Sequence, residues 1–235
     1  MTAFPEASPA ARHAAHALRR DLSAPPTAWS AADLAAFVRN HDIRVVALMH
    51  VGGDGWLKTL DFVPRDDAHL TDILAGGERA DGSSLFGDLG IPVGASDIVL
   101  RPRLSTAFID PFAPEPTLAL LCSHFDRQGA PLPESPDTMV RAAYARLRRD
   151  AGHDLHALGE IEFFLGHVRA EGEAYGANER GYHAAAPFVF GEGLRRKAVV
   201  LLAEMGVPVK YGHAEVGFVE ADAKDQGLGA VDPDP

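Results

Sequence analysis

The sequence feature that most constrains the fold is a hairpin signal close to residue 50. Residues 44–51 form a run rich in β-branched and other apolar side chains, and residues 56–62 form a second run with strand character. Between the two runs lies Gly52-Gly53-Asp54-Gly55, and these residue types are typical of tight turns. The pattern therefore predicts two antiparallel strands joined by a short turn.

Further helix and strand signals surround this hairpin. Ser30 and Asp33 have the spacing of a capping box at the start of a helix, and Gly76-Gly77 is a typical helix stop. The predicted elements are helices over 30–40 and 66–74, strands over 98–101 and 117–125, and a long loop over 78–97. Strands and helices mixed in this way predict a small α+β sheet domain.

A second domain is predicted beyond residues 128–136, which are rich in Pro, Gly and acidic side chains. The sequence divides into an N-terminal tail or helix over 1–27, a first domain over 28–130 and a second over 131–235. In the second domain we predict a helix capped by Ser135 and running to 150, a largely buried strand over 155–168, a helix over 194–205 and a strand over 207–220. This order is typical of the beginning of a larger α/β unit. Residues 227–235 predict a turn-rich end with no closing element.

Composition excludes several classes of protein. The chain has 235 residues, of which 46% are hydrophobic, and its formal net charge is −11. A chain this acidic is not expected to bind nucleic acid, because phosphate contacts need clustered Lys and Arg. Cys122 is the lone cysteine, which excludes an intrachain disulfide and fits a reducing cytoplasm. No apolar run approaches the ~20 residues that span a bilayer, so we expect a cytoplasmic protein with no membrane partner.

The most specific chemical signal is the segment 159–165, Gly-Glu-Ile-Glu-Phe-Phe-Leu. On a strand, Glu160 and Glu162 point to the same face, about 7 Å apart, where like charges repel unless water or a cation neutralises them. Carboxylate oxygens suit Mg²⁺ or Mn²⁺. The alternative interpretation is a half-exposed strand that carries two solvated glutamates.

Two further segments allow a functional and a structural interpretation. In 210–217, strand alternation places His213 and Glu215 on one face, as half of a metal site or as a hydrogen-bonded pair. In 81–84, Asp-Gly-Ser-Ser, the carboxylate of Asp81 either acts at a site elsewhere or serves the turn itself. Spacing alone does not decide between these alternatives.

Taken together and in this order, these segments resemble the glutamine synthetase family. The matching blocks are the hairpin over 45–62, the segment 81–84, and the segments 96–102, 105–111, 159–165 and 210–217. The number and order of the blocks make the resemblance far more specific than any single one of them.

The resemblance implies a β-grasp-like N-terminal domain followed by an incomplete α/β catalytic domain of the glutamine synthetase type. The family condenses glutamate and ammonia at the expense of ATP, through γ-glutamyl phosphate, in glutamine biosynthesis. The implied partners are therefore glutamate, ammonium or another amine, and ATP as co-substrate. By position, Glu160, Glu162 and Glu215 match ligands of Mg²⁺ or Mn²⁺. Asp81 matches the loop aspartate that binds ammonium and takes its proton, with Ser84 beside it, and no ATP-binding residue is assigned.

In the family this loop reaches the site of an adjacent subunit, which implies a homo-oligomeric ring. The sequence departs from the family pattern at Ala80, where phenylalanine is usual, and at Ile161, where proline is usual. These changes point to a related γ-glutamyl amine ligase as an alternative.

Family members continue past the strand of Glu215 with further metal and ATP ligands, so we expect a truncated form with little or no activity alone. The alternatives are a non-catalytic assembly or regulatory subunit, or a fragment, of a synthetase ring, and a product of gene decay.

Overall fold

The computed structural model describes residues 16–89, 91, 97–166, 182–186, 188–189, 191–215 and 226–233. The chain forms two compact units, one up to Leu155 and one from His156 onward. The first unit continues beyond residue 130, and the predicted domain limits at 27 and 130 stay predictions. No helix in the described parts of the chain is long and apolar enough to cross a membrane.

The described residues of the first unit form six strands and four α-helices. The strands are β1 (Val45–Val51), β2 (Leu57–Phe62), β3 (Glu78–Asp81), β4 (Asp97–Pro102), β5 (Phe108–Ile109) and β6 (Thr117–Phe125). The helices are α1 (Ala31–Asn40), α2 (Asp67–Gly76), α3 (Gly82–Phe86) and α4 (Pro136–Ala151). The expected α+β class is confirmed.

All six strands form one mixed sheet in the order β2-β1-β6-β4-β3, with β5 paired to β6. The predicted hairpin is confirmed, since β1 and β2 pair antiparallel with Leu48 opposite Leu60. The neighbouring pair, β1 and β6, is parallel. A parallel pair needs a crossover, and the chain between these strands supplies it with the α2 helix and the β3–β4 pair.

The core of the first unit lies between this sheet and the α1 and α2 helices. Leu34 and Phe37 of α1, with Leu70 of α2, pack against Leu48 and Leu120 of the central strands. The predicted capping box is present, because Ser30 Oγ accepts from the Asp33 backbone N–H and Asp33 accepts from the Ser30 N–H. Apolar burial on one helix face and one sheet face is the main source of stability in such a layered domain.

The second unit contains β7 (Ile161–Gly166), α5 (Glu192–Glu204), β8 (Val209–His213) and β9 (Gln226–Pro233). The three strands form an antiparallel sheet in the order β7-β9-β8. The expectation of an end with no closing element is therefore wrong, because the last described strand pairs on both sides. Its sequence has no strand periodicity, and it is the two neighbouring strands that complete its backbone hydrogen bonds.

Two other predicted elements need correction. The segment 78–97 is not one long loop, because Glu78–Asp81 pairs antiparallel with β4 and Gly82–Phe86 is helical; residues 90 and 92–96 lie outside the described residues. The strand predicted over 155–168 begins later than expected, since β7 spans Ile161–Gly166 and residues 155–160 are not in a strand; residues 167 and 168 lie outside the described residues. Residues 216–220 of the strand predicted over 207–220 also lie outside the described residues.

Candidate functional site

The two predicted catalytic residues, Asp81 and Ser84, are in direct contact. Asp81 ends β3 and caps α3, with its Oδ1 accepting from the backbone N–H of Ser83 at 2.9 Å and from Ser83 Oγ at 2.7 Å. Its Oδ2 accepts from Ser84 Oγ at 2.7 Å. Both Asp81 and Ser84 are exposed. The same hydrogen bonds are expected if Asp81 serves only the turn itself. The catalytic role of Asp81 and Ser84 therefore stays a prediction.

The α3 helix is anchored by buried residues at the end opposite to Asp81. Phe86, at the other end of this short helix, is 1% exposed and packs with Ile98 and Leu132. The carbonyl of Leu85 accepts from the backbone N–H of Gly53 at 3.0 Å, which ties the helix to the turn of the β1–β2 hairpin. A carboxylate presented from a helix anchored in this way has little conformational freedom to lose when it binds a ligand.

A buried histidine pair lies beneath Phe86, and no sequence pattern singled it out. His124 Nε2 lies 3.1 Å from His50 Nδ1, and His124 Nδ1 lies 2.9 Å from Ser135 Oγ. The Phe86 ring meets the His124 ring edge-on, with 4.9 Å between centroids. The prediction that the side chain of Ser135 caps α4 is therefore wrong, because its hydroxyl is hydrogen-bonded to His124 instead.

Burial fixes the protonation state of this pair. It lowers the pKa of His124 to about 4, and the nearby His50 lowers it further while Asp137 opposes the change. Burial also lowers the pKa of His50, with a smaller contribution from Lys58. Both imidazoles are neutral at pH 7, so one nitrogen of the contact donates and the other accepts. The available sequence signal is the position of both histidines inside strongly apolar strand runs.

The paired glutamates lie on the exposed surface of the second unit. Glu160 immediately precedes β7, and Glu162 lies within it, with its backbone paired to Ala230 of β9. Both glutamates are exposed, and Ile161 between them is 54% exposed. The expectation of a largely buried strand is therefore wrong at these positions. Exposed carboxylates are hydrated at little cost, which is the physical basis of the solvated alternative.

The third predicted metal ligand, Glu215, contacts a histidine. His213 ends β8, and its Nε2 lies 3.2 Å from Glu215 Oε2, with both side chains half-buried. The ring of His213 also meets the rings of Tyr182 and His183, with centroids 5.2 and 4.6 Å away. The hydrogen-bonded pair that the sequence left as one of two alternatives is present.

These residues fit a divalent cation in chemistry but not in arrangement. Carboxylate oxygens are the ligands that Mg²⁺ and Mn²⁺ prefer, and the buried His213 Nδ1 has no partner among the described residues. Within that same part of the chain, however, no three His, Cys, Asp or Glu side chains are placed together to hold a metal ion. Metal ligation by Glu160, Glu162 and Glu215 therefore stays a prediction.

Comparison with known proteins identifies one matching family profile and several similar proteins. Residues 42–127 match the family profile described as glutamine synthetase, beta-Grasp domain. The chain is 28% identical to the glutamine synthetase of Methanococcus maripaludis over 196 residues, which cover 80% of this chain and 44% of that protein. It is 32% identical to the glutamine synthetase of Neisseria gonorrhoeae over 171 residues, which cover 60% of this chain and 36% of that protein. The chain thus spans less than half the length of these relatives.

Solved structures agree on the fold. The glutamine synthetase of Plasmodium falciparum superposes with a TM-score of 0.61 at 14% identity, over 88% of this chain and 44% of that one. A structure of GmaS without ligand superposes with a TM-score of 0.57 at 17% identity, over 86% and 44%. The six-stranded sheet with its β1–β2 hairpin is the β-grasp architecture that the family resemblance implied. The chain therefore belongs to the glutamine synthetase family, and its residues 42–127 form that family's β-grasp domain.

Proposed function

We propose that this chain functions in an ATP-dependent carbon–nitrogen ligase of the glutamine synthetase type. The reaction has two steps. The γ-carboxylate of glutamate takes the terminal phosphoryl group of ATP and releases ADP, and an amine nitrogen then attacks the γ-carbonyl carbon and releases phosphate. The single observation that carries the proposal is the exposed carboxylate of Asp81, held by the hydroxyls of Ser83 and Ser84 on a β-grasp domain of this family.

The geometry of Asp81 suits a role towards an ammonium ion or a protonated amine. An exposed carboxylate attracts the cation and accepts its N–H donors. When the nitrogen attacks, this carboxylate would take the proton that the amine must lose. Ser84 fixes the orientation of Oδ2 by donating to it, and so acts as a positioning residue.

The amine is either ammonia or a small alkylamine, and two observations favour keeping the second candidate. Ala80, directly before Asp81, is half-buried against the domain core, where the family usually has a larger phenylalanine. This departure from the family pattern lies directly beside Asp81 in the chain. One of the structural neighbours is GmaS, a name that belongs to a γ-glutamylmethylamide synthetase. Methylamine is therefore the second substrate to test.

We further propose that the chain works in an assembly, either a homo-oligomeric ring or a ring with full-length synthetase subunits, in which Asp81 acts at a neighbouring site. The 235 residues alone are expected to release little product. A non-catalytic assembly or regulatory subunit is the second candidate. It is favoured by the end of the β1–β2 hairpin, where Trp56 is 74% and Leu57 59% exposed, because large exposed apolar side chains are typical of interfaces.

The test combines product analysis with a matched pair of variants. The tagged chain is assayed alone and after co-expression with the Methanococcus maripaludis enzyme, using glutamate, ATP, Mg²⁺ and either ammonium or methylamine. ADP and the γ-glutamyl amide are quantified. Asp81→Asn is compared with Asp61→Asn, because Asp61 also accepts from a neighbouring hydroxyl, that of Thr59 at 2.6 Å, but lies on β2.

We expect Asp81→Asn to lower product formation by the mixed assembly at least severalfold, and Asp61→Asn to leave it unchanged. Strong product formation by the chain alone would support the ligase and contradict the need for a partner. Co-purification with equal activity for both variants would support the non-catalytic subunit. Absence of product and of co-purification would contradict both candidates.

A further inference from the structure

A cavity of about 530 Å³ opens in the first unit, on residues that the proposed ligase function does not use. It is lined by the end of β4, the last residues of β6 and the first turns of α4. Cavities of this volume are typical of sites for small organic molecules. Aromatic and proline surfaces, among them Phe125 and Pro131, form part of its wall.

The charges around the cavity do not balance. Three arginines line it, Arg101, Arg103 and Arg141, against the single carboxylate of Asp137. Asp137 is shared between two of them, since Arg103 Nη1 lies 3.3 Å and Arg141 Nε 3.0 Å from its Oδ1. With His124 neutral, as its lowered pKa requires, two positive charges are left over. This excess occurs in a chain whose formal net charge is −11.

Arg101 is the arginine of this cavity that does not pair with Asp137. Its guanidinium lies over the Phe125 ring, 4.0 Å from the centroid, and among the described residues it forms no ion pair. Stacking on an aromatic face occupies the flat side of a guanidinium and leaves its N–H donors, which lie in the plane, available to an acceptor. The same stacking restricts the rotamers of Arg101, so binding costs less side-chain entropy.

We propose that this cavity binds a small organic dianion, either a phosphate monoester or a dicarboxylate, through Arg101 and Arg141. Two excess positive charges match a dianion, and guanidinium groups bind phosphate and carboxylate oxygens in the same bidentate way. The apolar wall near Phe125 and Pro131 accommodates the organic part of the ligand. Partial positive charge at the N-terminal end of the 16-residue helix α4, which borders the cavity, adds to the attraction.

The test is isothermal titration of the purified chain at low salt with four compounds: phenyl phosphate, inorganic phosphate, succinate and phenylacetate. We expect phenyl phosphate or succinate to bind, inorganic phosphate to bind more weakly than phenyl phosphate, and the monoanion phenylacetate to bind most weakly. Binding should weaken as NaCl is raised, because the attraction is electrostatic. A preference for phenyl phosphate identifies a phosphate monoester, and a preference for succinate identifies a dicarboxylate.

Variants locate the binding. Arg101→Gln and Arg141→Gln should each weaken the dianion by roughly tenfold, the usual effect of losing one charge-assisted contact. Arg146→Gln is the matched control, since Arg146 also lies on α4 but its side chain is 78% exposed and outside the cavity. Urea unfolding of each variant verifies that it is folded. Equal affinity in all three variants, or no binding of any dianion at millimolar concentration, would overturn the proposal.

Discussion

His124 Nε2 lies 3.1 Å from His50 Nδ1 in the interior of the first unit, and this contact connects β6 to β1 beneath the helix that carries Ser84. The two residues are 1% and 4% exposed. Phe86 rests on the His124 ring, so the position of α3 depends on this pair. A hydrogen bond between two imidazoles requires that at least one ring is neutral and can accept. Burial favours the state in which both rings are neutral.

The first prediction is that acid destabilises the first unit through this pair. The folded pKa of His124 is about 4, against 6.5 for an ordinary histidine, and the pKa of His50 is lowered too. The unfolded chain therefore binds more protons than the folded chain between these values. Stability from this source is complete above pH 6.5 and falls as the pH decreases towards 4, by about 3 kcal/mol for His124. Urea unfolding measured from pH 7.5 to 4 gives this slope.

His124→Gln is the variant that tests the origin of the slope, because a glutamine amide keeps a hydrogen bond to His50 but does not titrate. The pH dependence of the free energy of unfolding should become shallower in this variant. His153→Gln, at an exposed histidine, should leave the wild-type slope. An unchanged slope in His124→Gln would show that other groups, such as His16, carry the acid sensitivity.

The second prediction concerns the end of α2. Gly77 has φ +87°, and a Cβ there would clash with the carbonyl oxygen of Leu100 on β4, so Gly77→Ala should destabilise the unit by more than about 2 kcal/mol. The neighbouring Gly76 is helical and has open space, so Gly76→Ala should be neutral or stabilising by up to about 1 kcal/mol. Urea unfolding of the pair measures both. Equal effects would mean that the backbone at Gly77 relaxes without cost.

Local sequence signals were sufficient to predict the elements whose geometry depends on residues close together in the chain. Ser30 and Asp33 form the predicted capping box, and the α2 helix ends at the predicted glycines. The β1–β2 hairpin follows from its turn residues and its two strand-forming runs. The Asp81 and Ser84 contact could be expected too, because short side chains in such a turn bond one another and the backbone.

Pairing between segments that are distant in the chain determined the elements that local sequence signals did not predict. The segment Glu78–Asp81 is polar and has no strand periodicity, yet it completes the edge of β4, and Gln226–Pro233 lies between two strands that need a partner. The hydroxyl of Ser135 has a helix-capping position in the sequence, but the buried His124 nitrogen competes for it. A buried polar group without a partner costs more free energy than an uncapped helix end, so the histidine prevails.

The third prediction concerns the paired glutamates. Mn²⁺ should bind the chain only weakly, because Glu160 and Glu162 are exposed and are joined by no third ligand among the described residues. The double variant Glu160→Gln, Glu162→Gln should weaken this binding, as measured by electron paramagnetic resonance of free Mn²⁺. Glu78→Gln with Glu115→Gln removes the same charge from the first unit and is the control. Equal affinity in both double variants would exclude the paired glutamates as ligands.

The fourth prediction is that Asp137→Asn moves stability and anion binding in opposite directions. Asp137 accepts from Ser123 Oγ at 2.5 Å and pairs with Arg103 and Arg141, while its own side chain is 21% exposed. Burial raises its pKa, but these hydrogen bonds and charges outweigh burial and hold it below its ordinary value, so it is ionised at pH 7. An asparagine leaves two guanidinium groups without their carboxylate and should destabilise the unit by about 1–3 kcal/mol.

The same change removes the only negative charge from the arginine-lined cavity, which raises the excess from two positive charges to three. Phenyl phosphate or succinate should therefore bind Asp137→Asn more tightly than the wild type, although the variant unfolds at a lower urea concentration. A structural defect alone would weaken both properties together. Tighter binding in a less stable protein is thus the combination that separates an electrostatic role of Asp137 from a packing role. Weaker binding by Asp137→Asn, measured where the variant is fully folded, would contradict the charge argument.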